Sequence, residues 1–119
     1  MVKTLCLAAA LAMLWAGGAA AEDTEMEAKY RAYQEAIQAT QRCEKREFTP
    51  AEHNALGEEI NFQVNGGIGP GKRLTIVEDA KDRMHDLIFR RGCEDPEVAE
   101  RLALFDSDLA PALERQQSN

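Results

Sequence analysis

Apolar residues recur at helical spacing along most of this chain, and strict alternation of the kind a half-buried strand needs occurs at only one short place. From Glu25 to Cys43, the positions Met26, Tyr30, Tyr33, Ile37 and Thr40 step by four and three, which puts them on one stripe of a helix. Glu27, Lys29, Arg31, Gln34, Gln38 and Gln41 occupy the other faces, and neither Gly nor Pro interrupts the run. Cys43 falls in the last turn, near the edge of the stripe. Glu44 to Phe48 reads as a charged connector. Thr49-Pro50-Ala51-Glu52 then carries a helix start with a mechanism: Thr49 can cap free N–H groups, Pro50 suits the first helical position, and Glu52 can reach back to complete a capping box. Leu56, Ile60 and Val64 follow at spacing four, with Phe62 beside them. The alternation Ile60, Phe62, Val64 also fits a short strand, and helix is the favoured reading.

Asn65-Gly66-Gly67-Ile68-Gly69-Pro70-Gly71 cannot continue a helix and reads as a loop. Thr75 with Glu78 forms a second candidate capping box. Ile76, Val77, Ala80, Met84, Leu87 and Ile88 make an apolar stripe that runs to Arg91, and Gly92 ends it with Arg90 and Arg91 at the negative end of the helix. Asp95-Pro96 starts a fourth helix by the same logic as Thr49-Pro50, with Val98, Leu102, Phe105 and Leu109 on one side. Pro111 and the polar end of the chain predict a frayed tail over residues 111–119. No internal repeat stands out.

These elements predict an all-α fold, a small three- to four-helix bundle. Short connections make consecutive helices antiparallel, so the first and third run the same way and end together. Cys43 and Cys93 lie at those two ends. A bridge between them would staple the bundle, and bridge and helix count support each other.

The N-terminus changes the picture of where this happens. A basic Met1-Val2-Lys3 start precedes an uncharged apolar run from Thr4 to Trp15, then the small residues Ala16 to Ala21, then Glu22-Asp23. That is the three-part layout of a secretory signal, and residues 1–21 are expected to be cleaved. The apolar run is shorter than the ~20 residues a spanning helix needs, which weighs against an uncleaved anchor. Cys6 sits inside the run rather than at the cleavage point, which weighs against a lipoprotein. The mature chain then begins at residue 22, with the helical domain over 22–110. Two cysteines remain, which allows one pairing, and exported small domains use such pairs as disulfides. The expected location is the periplasm, or outside the cell.

Charge narrows the partners. The whole chain holds 14 Lys and Arg against 21 Asp and Glu, and with Lys3 removed the mature chain carries a formal −8. Such a surface repels phosphate backbones and anionic lipid, so no nucleic-acid role is expected, and with no other stretch apolar enough to span a bilayer no membrane span is expected after signal removal. Lys45-Arg46, Lys72-Arg73 and Arg90-Arg91 are the only basic clusters, and each is offset by acids.

Chemistry-bearing constellations are sparse. Gly66-Gly67-Ile68-Gly69-Pro70-Gly71-Lys72 fits the spacing of a phosphate-wrapping loop. Arg73 stands where the Mg²⁺-binding Ser or Thr belongs, however, and Pro70 removes one N–H from the cradle. A milder reading makes this loop a partner contact, with Ile68 as an exposed apolar tip and Lys72 and Arg73 beside it. His53 and His85 are the only histidines, and neither has a second histidine at metal spacing. Met84-His85 near Asp82 and Asp86 reads as core methionine plus surface histidine. Asp79, Asp82 and Asp86, interleaved with Lys81, Arg83 and Arg90, read as a solvated face. Ser107 and Ser118, the only serines, have no Gly-rich elbow. Separated by 50 positions, Cys43 and Cys93 cannot form a Cys-x-x-Cys redox turn. No catalytic residue, metal or cofactor is assigned.

Signal, small acidic helical domain and one long-range cysteine pair together resemble the acid-stress chaperones of the bacterial periplasm in size and cysteine separation. That resemblance implies a conditional holdase. Full protonation of the carboxylates would swing the mature chain from −8 to about +15, from 13 Lys and Arg plus 2 His, counting side chains only. The residues themselves favour a non-enzymatic exported module that docks a protein partner. A small hydrolase or a metal-binding protein is the third expectation.

Overall fold

A computed structural model describes residues 23–65 and 67–118, and their regular secondary structure is entirely helical. The expected signal peptide lies outside the described residues. Helix α1 spans Glu25–Cys43, α2 Pro50–Val64 and α3 Pro70–Arg91. The last rod is continuous: α4 Pro96–Leu104, a π-helical turn Phe105–Leu109, and α5 Ala110–Ser118. The structure is therefore a four-rod bundle, with a disulfide joining Cys43 and Cys93 at a Cα separation of 5.8 Å. Among the described residues, no helix is long and apolar enough to cross a membrane.

The helix starts follow local chemistry. Thr49 Oγ1 accepts from the Glu52 N–H at 3.1 Å, and Glu52 Oε1 accepts from the Thr49 N–H at 2.9 Å, a closed capping box with Pro50 at the first position. Thr24 and Glu27 form the same box at the head of α1. Asp95 caps α4 by accepting from the Glu97 N–H. Gly92, at φ +84°, takes the turn out of α3 that a side chain would resist. Residues 60–64 are helical to Val64, and Ile60 and Val64 are buried while Phe62 is not.

Helix α1 is the axis of the bundle. It packs against α3 above all, then against α4, the π-helical turn and α2, while α2 packs chiefly on α5. Its stripe of Tyr30, Tyr33 and Ile37 enters the main core with Leu56, Ile60, Ile76, Phe105 and Leu109. On another face Ala39 is fully buried and joins Met84, Leu87 and Val98 in a second cluster beside Cys43. Cross-links between α1 and α3 ascend together: Asp23 with Lys72, Arg31 with Asp79, Glu35 with Arg83, and Cys43 with Cys93. The two helices are thus parallel neighbours sharing a C-terminal end.

Two expectations need correction. Helix α3 starts at Pro70 with Gly69 as its N-cap, not at Thr75, whose hydroxyl instead donates to the Gly71 carbonyl one turn back. Pro70 is preorganised for the first helical position, and it outweighs the later Thr-x-x-Glu signal. The predicted frayed tail from residue 111 is helical through Ser118, with Ala112 and Leu113 buried. Pro111 has no N–H to offer the preceding turn. The π-helical turn just before it, closed by the Ala110 N–H on the Phe105 carbonyl, widens the rod and absorbs the mismatch. Burial of Leu113 in the main core then holds the continuation.

Candidate partner-binding surface

The loop between α2 and α3 holds the three residues singled out by sequence, and the structure separates their roles. Ile68 is not an exposed tip: it is 6 % exposed and belongs to the main core. The physical reason is that an apolar residue beside Val64 and Ile76 in the main core gains more from burial than from solvent. Arg73 is spent on holding the loop in place. Its Nε donates to the Ile68 carbonyl at 3.0 Å and its Nη1 to Asn61 Oδ1 at 2.7 Å, with the guanidinium 5.6 Å from the Tyr30 ring centre. Lys72 lies 3.7 Å from Asp23, which is also gripped by Arg31 Nε at 2.8 Å. That hydrogen bond from Arg31, reinforced by the Lys72 charge, holds the Asp23 carboxyl below its ordinary value. Lys72 faces a carboxylate, and Gly67, Gly69 and Gly71 all have φ outside the left-handed region.

Large apolar side chains do stand in solvent, at other positions. Phe62 is 76 % exposed, Leu74 64 % and Phe89 83 %. Phe62 and Leu74 each follow directly on a member of the Asn61–Arg73 bond, which joins α2 to α3 although the two helix backbones do not approach one another. Phe89 lies near the disulfide end of α3. The signal for Phe62 was present in the sequence, since it falls off the line of Leu56, Ile60 and Val64. Leu74 and Phe89 fall off the stripe of Ile76, Ala80, Met84 and Leu87 in the same way.

Polar groups that are buried serve the scaffold. Glu35, 2 % exposed, accepts from Arg101 Nε at 2.8 Å and lies 3.2 Å from Arg83 Nη1. Arg83 also binds Glu97, and this hydrogen bond raises the Arg83 pKa further. One carboxylate thus ties α1 to both α3 and α4. Tyr33 donates to Asp108 Oδ2 at 2.7 Å, and Ser107 donates to Asp108 Oδ1 at 2.8 Å. Burial first, then the bond to Asp108, push the Tyr33 phenol well above its ordinary value. The Asp108 carboxylate that accepts from Ser107 is the one that holds Tyr33, and so links the last rod to α1.

An open groove of about 300 Å³ lies between α2 and α5, lined by Ala55, Glu58, Glu59, Ala112, Arg115 and Gln116. Glu59 is occupied by Arg115 at 2.6 Å and Gln63 at 2.8 Å. Met84 is fully buried and His85 exposed, with His85 Nδ1 accepting from Arg42 Nη1 at 2.9 Å. His53 packs edge-on to Phe48. Among the described residues, no group of three or more His, Cys, Asp or Glu side chains is placed to hold a metal ion. Comparison with known protein families, with curated proteins and with solved structures finds no match for this chain.

Proposed function

We propose that this chain is an exported, non-enzymatic helical module that acts by docking other proteins, in the periplasm or outside the cell. The observation that carries the reading is the exposure of Phe62, Leu74 and Phe89 on a scaffold whose core is already filled. Exposed aromatics on a rigid frame are the usual anchors of protein contacts, because they lose little conformational entropy on binding and bring large apolar area. The Cys43–Cys93 bridge supports action in a compartment where thiols oxidise. The apolar run from Thr4 to Trp15, followed by small residues, supports export to it.

Site-specific photo-crosslinking in the producing cell tests this. A crosslinker at position 62 or 89 should give discrete adducts that a crosslinker at the exposed Ala103 does not. Adducts at neither position 62 nor position 89, or the same adducts at position 103 as at those two, would overturn the reading.

A second reading, a holdase that opens in acid, is favoured by Glu35. Its carboxylate is the shared partner of Arg83 and Arg101, so α1 is tied to both α3 and α4 in part by charge. The disulfide would keep the opened chain compact. The test is whether the oxidised mature chain binds a hydrophobic dye near pH 3 and suppresses aggregation of an acid-labile protein there. Retention of native near-ultraviolet dichroism without dye binding would dismiss it.

A further inference from the structure

Helix α3 turns one long face to solvent. Leu74, Glu78, Lys81, Asp82, His85 and Phe89 are all exposed, and at 3.6 residues per turn they share an arc of about 100°. Most charges on the rest of this helix are matched within the chain: Lys72 with Asp23, Asp79 with Arg31, Arg83 with Glu35, Asp86 with Arg90, and Arg91 with Asp95, while Arg73 bonds to neutral acceptors. Glu78, Lys81 and Asp82, by contrast, make no ion pair among the described residues. The unmatched charges lie between the two exposed apolar residues of the same face.

We propose that this face is the contact between two copies of the chain, packed as antiparallel α3 helices about a two-fold axis. The order of residues along the face is self-complementary. An axis set between Lys81 and Asp82 is also midway between Glu78 and His85, and midway between Leu74 and Phe89. In that register Leu74 meets Phe89 of the second copy, and Glu78 meets His85 of the second copy, each contact made twice. Two Lys81 ammonium groups and two Asp82 carboxylates gather around the axis with no net charge. A parallel pairing would instead set Glu78 against Glu78 and Lys81 against Lys81, which like-charge repulsion disfavours.

His85 fits this arrangement in its chemistry. A guanidinium nitrogen can only donate, so the bond from Arg42 makes Nδ1 the acceptor and puts the ring hydrogen on Nε2. That hydrogen is what Glu78 of the second copy would accept. Arg42 thereby selects the tautomer that suits the contact. The helix pair would run about 22 Å from Leu74 to Phe89. This is a small interface, consistent with a dimer that dissociates on the order of 10–100 µM.

The inference rests on reading exposed apolar side chains as contact surface, and it names the occupant for α3 alone. Phe62 is on α2 and stays open to a different protein. Sedimentation equilibrium of the mature, oxidised chain tests it, with Lys81→Glu, Asp82→Lys, the double exchange and Phe62→Asp as variants. The wild type should dimerise. Each single charge change should raise the dissociation constant about 10-fold or more, and the double exchange should return it to within about 3-fold. Phe62→Asp should leave it unchanged. Helical dichroism of every variant should match the wild type, as all the changed positions are exposed. A wild type that stays monomeric to about 1 mM overturns the proposal. So does a dimer that is indifferent to the single charge changes, or one the double exchange fails to restore. Absence of crosslinked partners at position 62 would sink the docking reading of α2 while leaving this result standing.

Discussion

Glu35 and Arg101, 66 positions apart, form a 2.8 Å ion pair in which the carboxylate is 2 % exposed and the guanidinium 20 %. With Arg83 on the other carboxylate oxygen, this pair connects three helices through one side chain. Removing one partner of a buried pair typically costs about 3–5 kcal/mol. Both arginines reach solvent in part here, so Glu35→Ala is expected to cost about 2–3 kcal/mol and to lower Tm by roughly 10 °C or more. Urea denaturation of the variant measures it, and a loss below ~0.5 kcal/mol would deny Glu35 this role.

The disulfide closes a loop of about 50 residues, worth about 4 kcal/mol in the chain-entropy account. Cys43→Ser with Cys93→Ser should lower stability by an amount of that order. Non-reducing mass measurement of a chain covering residues 22–119 should show two hydrogens fewer than the reduced chain. Two freely alkylated thiols would contradict the bridge.

Ile68 and Phe62 separate burial from exposure. Truncating buried Ile68 to Ala should cost about 2–4 kcal/mol through lost transfer energy and a cavity. Phe62→Ala should change stability by no more than ~0.5 kcal/mol. Chemical denaturation of both variants checks this, and the reverse ranking would place Ile68 in solvent after all.

Acid and alkali act through different groups. The Asp23 carboxyl lies below its ordinary 3.8, chiefly through the Arg31 bond, and Glu52 lies below its ordinary 4.5, chiefly through the backbone N–H of Thr49. An unfolded chain therefore binds these protons first. Their contribution is complete above the ordinary values and is lost as pH falls from about 5 through the lowered folded values. Tyr33 works with the opposite sign. Its folded pKa is raised above 10.0, so its contribution is complete below pH 10 and is lost as pH rises beyond that. Denaturation midpoints across pH should fall at both ends. Tyr33→Phe should flatten the alkaline limb and leave the acid limb unchanged.

Much of the fold was legible because it is written locally. The capping box at Thr49 and Glu52, the Asp95-Pro96 start and the Gly92 stop involve residues within one turn of each other, where steric and hydrogen-bonding rules act without help from the rest of the molecule. The stripe of α1 was equally plain, yet its second buried face was not. Glu35 and Ala39 lie away from Tyr30, Tyr33 and Ile37. Only the placement of α3 and α4 around α1 shows that the helix is covered on several sides.

The candidate contact residues divide along the same line. Sequence alone determined that the chain is helical, that two of its rods end together, and that a cysteine stands at each of those ends. Tertiary structure decided that Ile68 turns inward, that Pro111 sits inside a continuing rod, and that Phe62, Leu74 and Phe89 are left in solvent. The reason is physical. A helix start or stop is settled by atoms a few bonds apart, whereas burial is settled by which distant surface arrives to cover a side chain, and no local pattern carries that information.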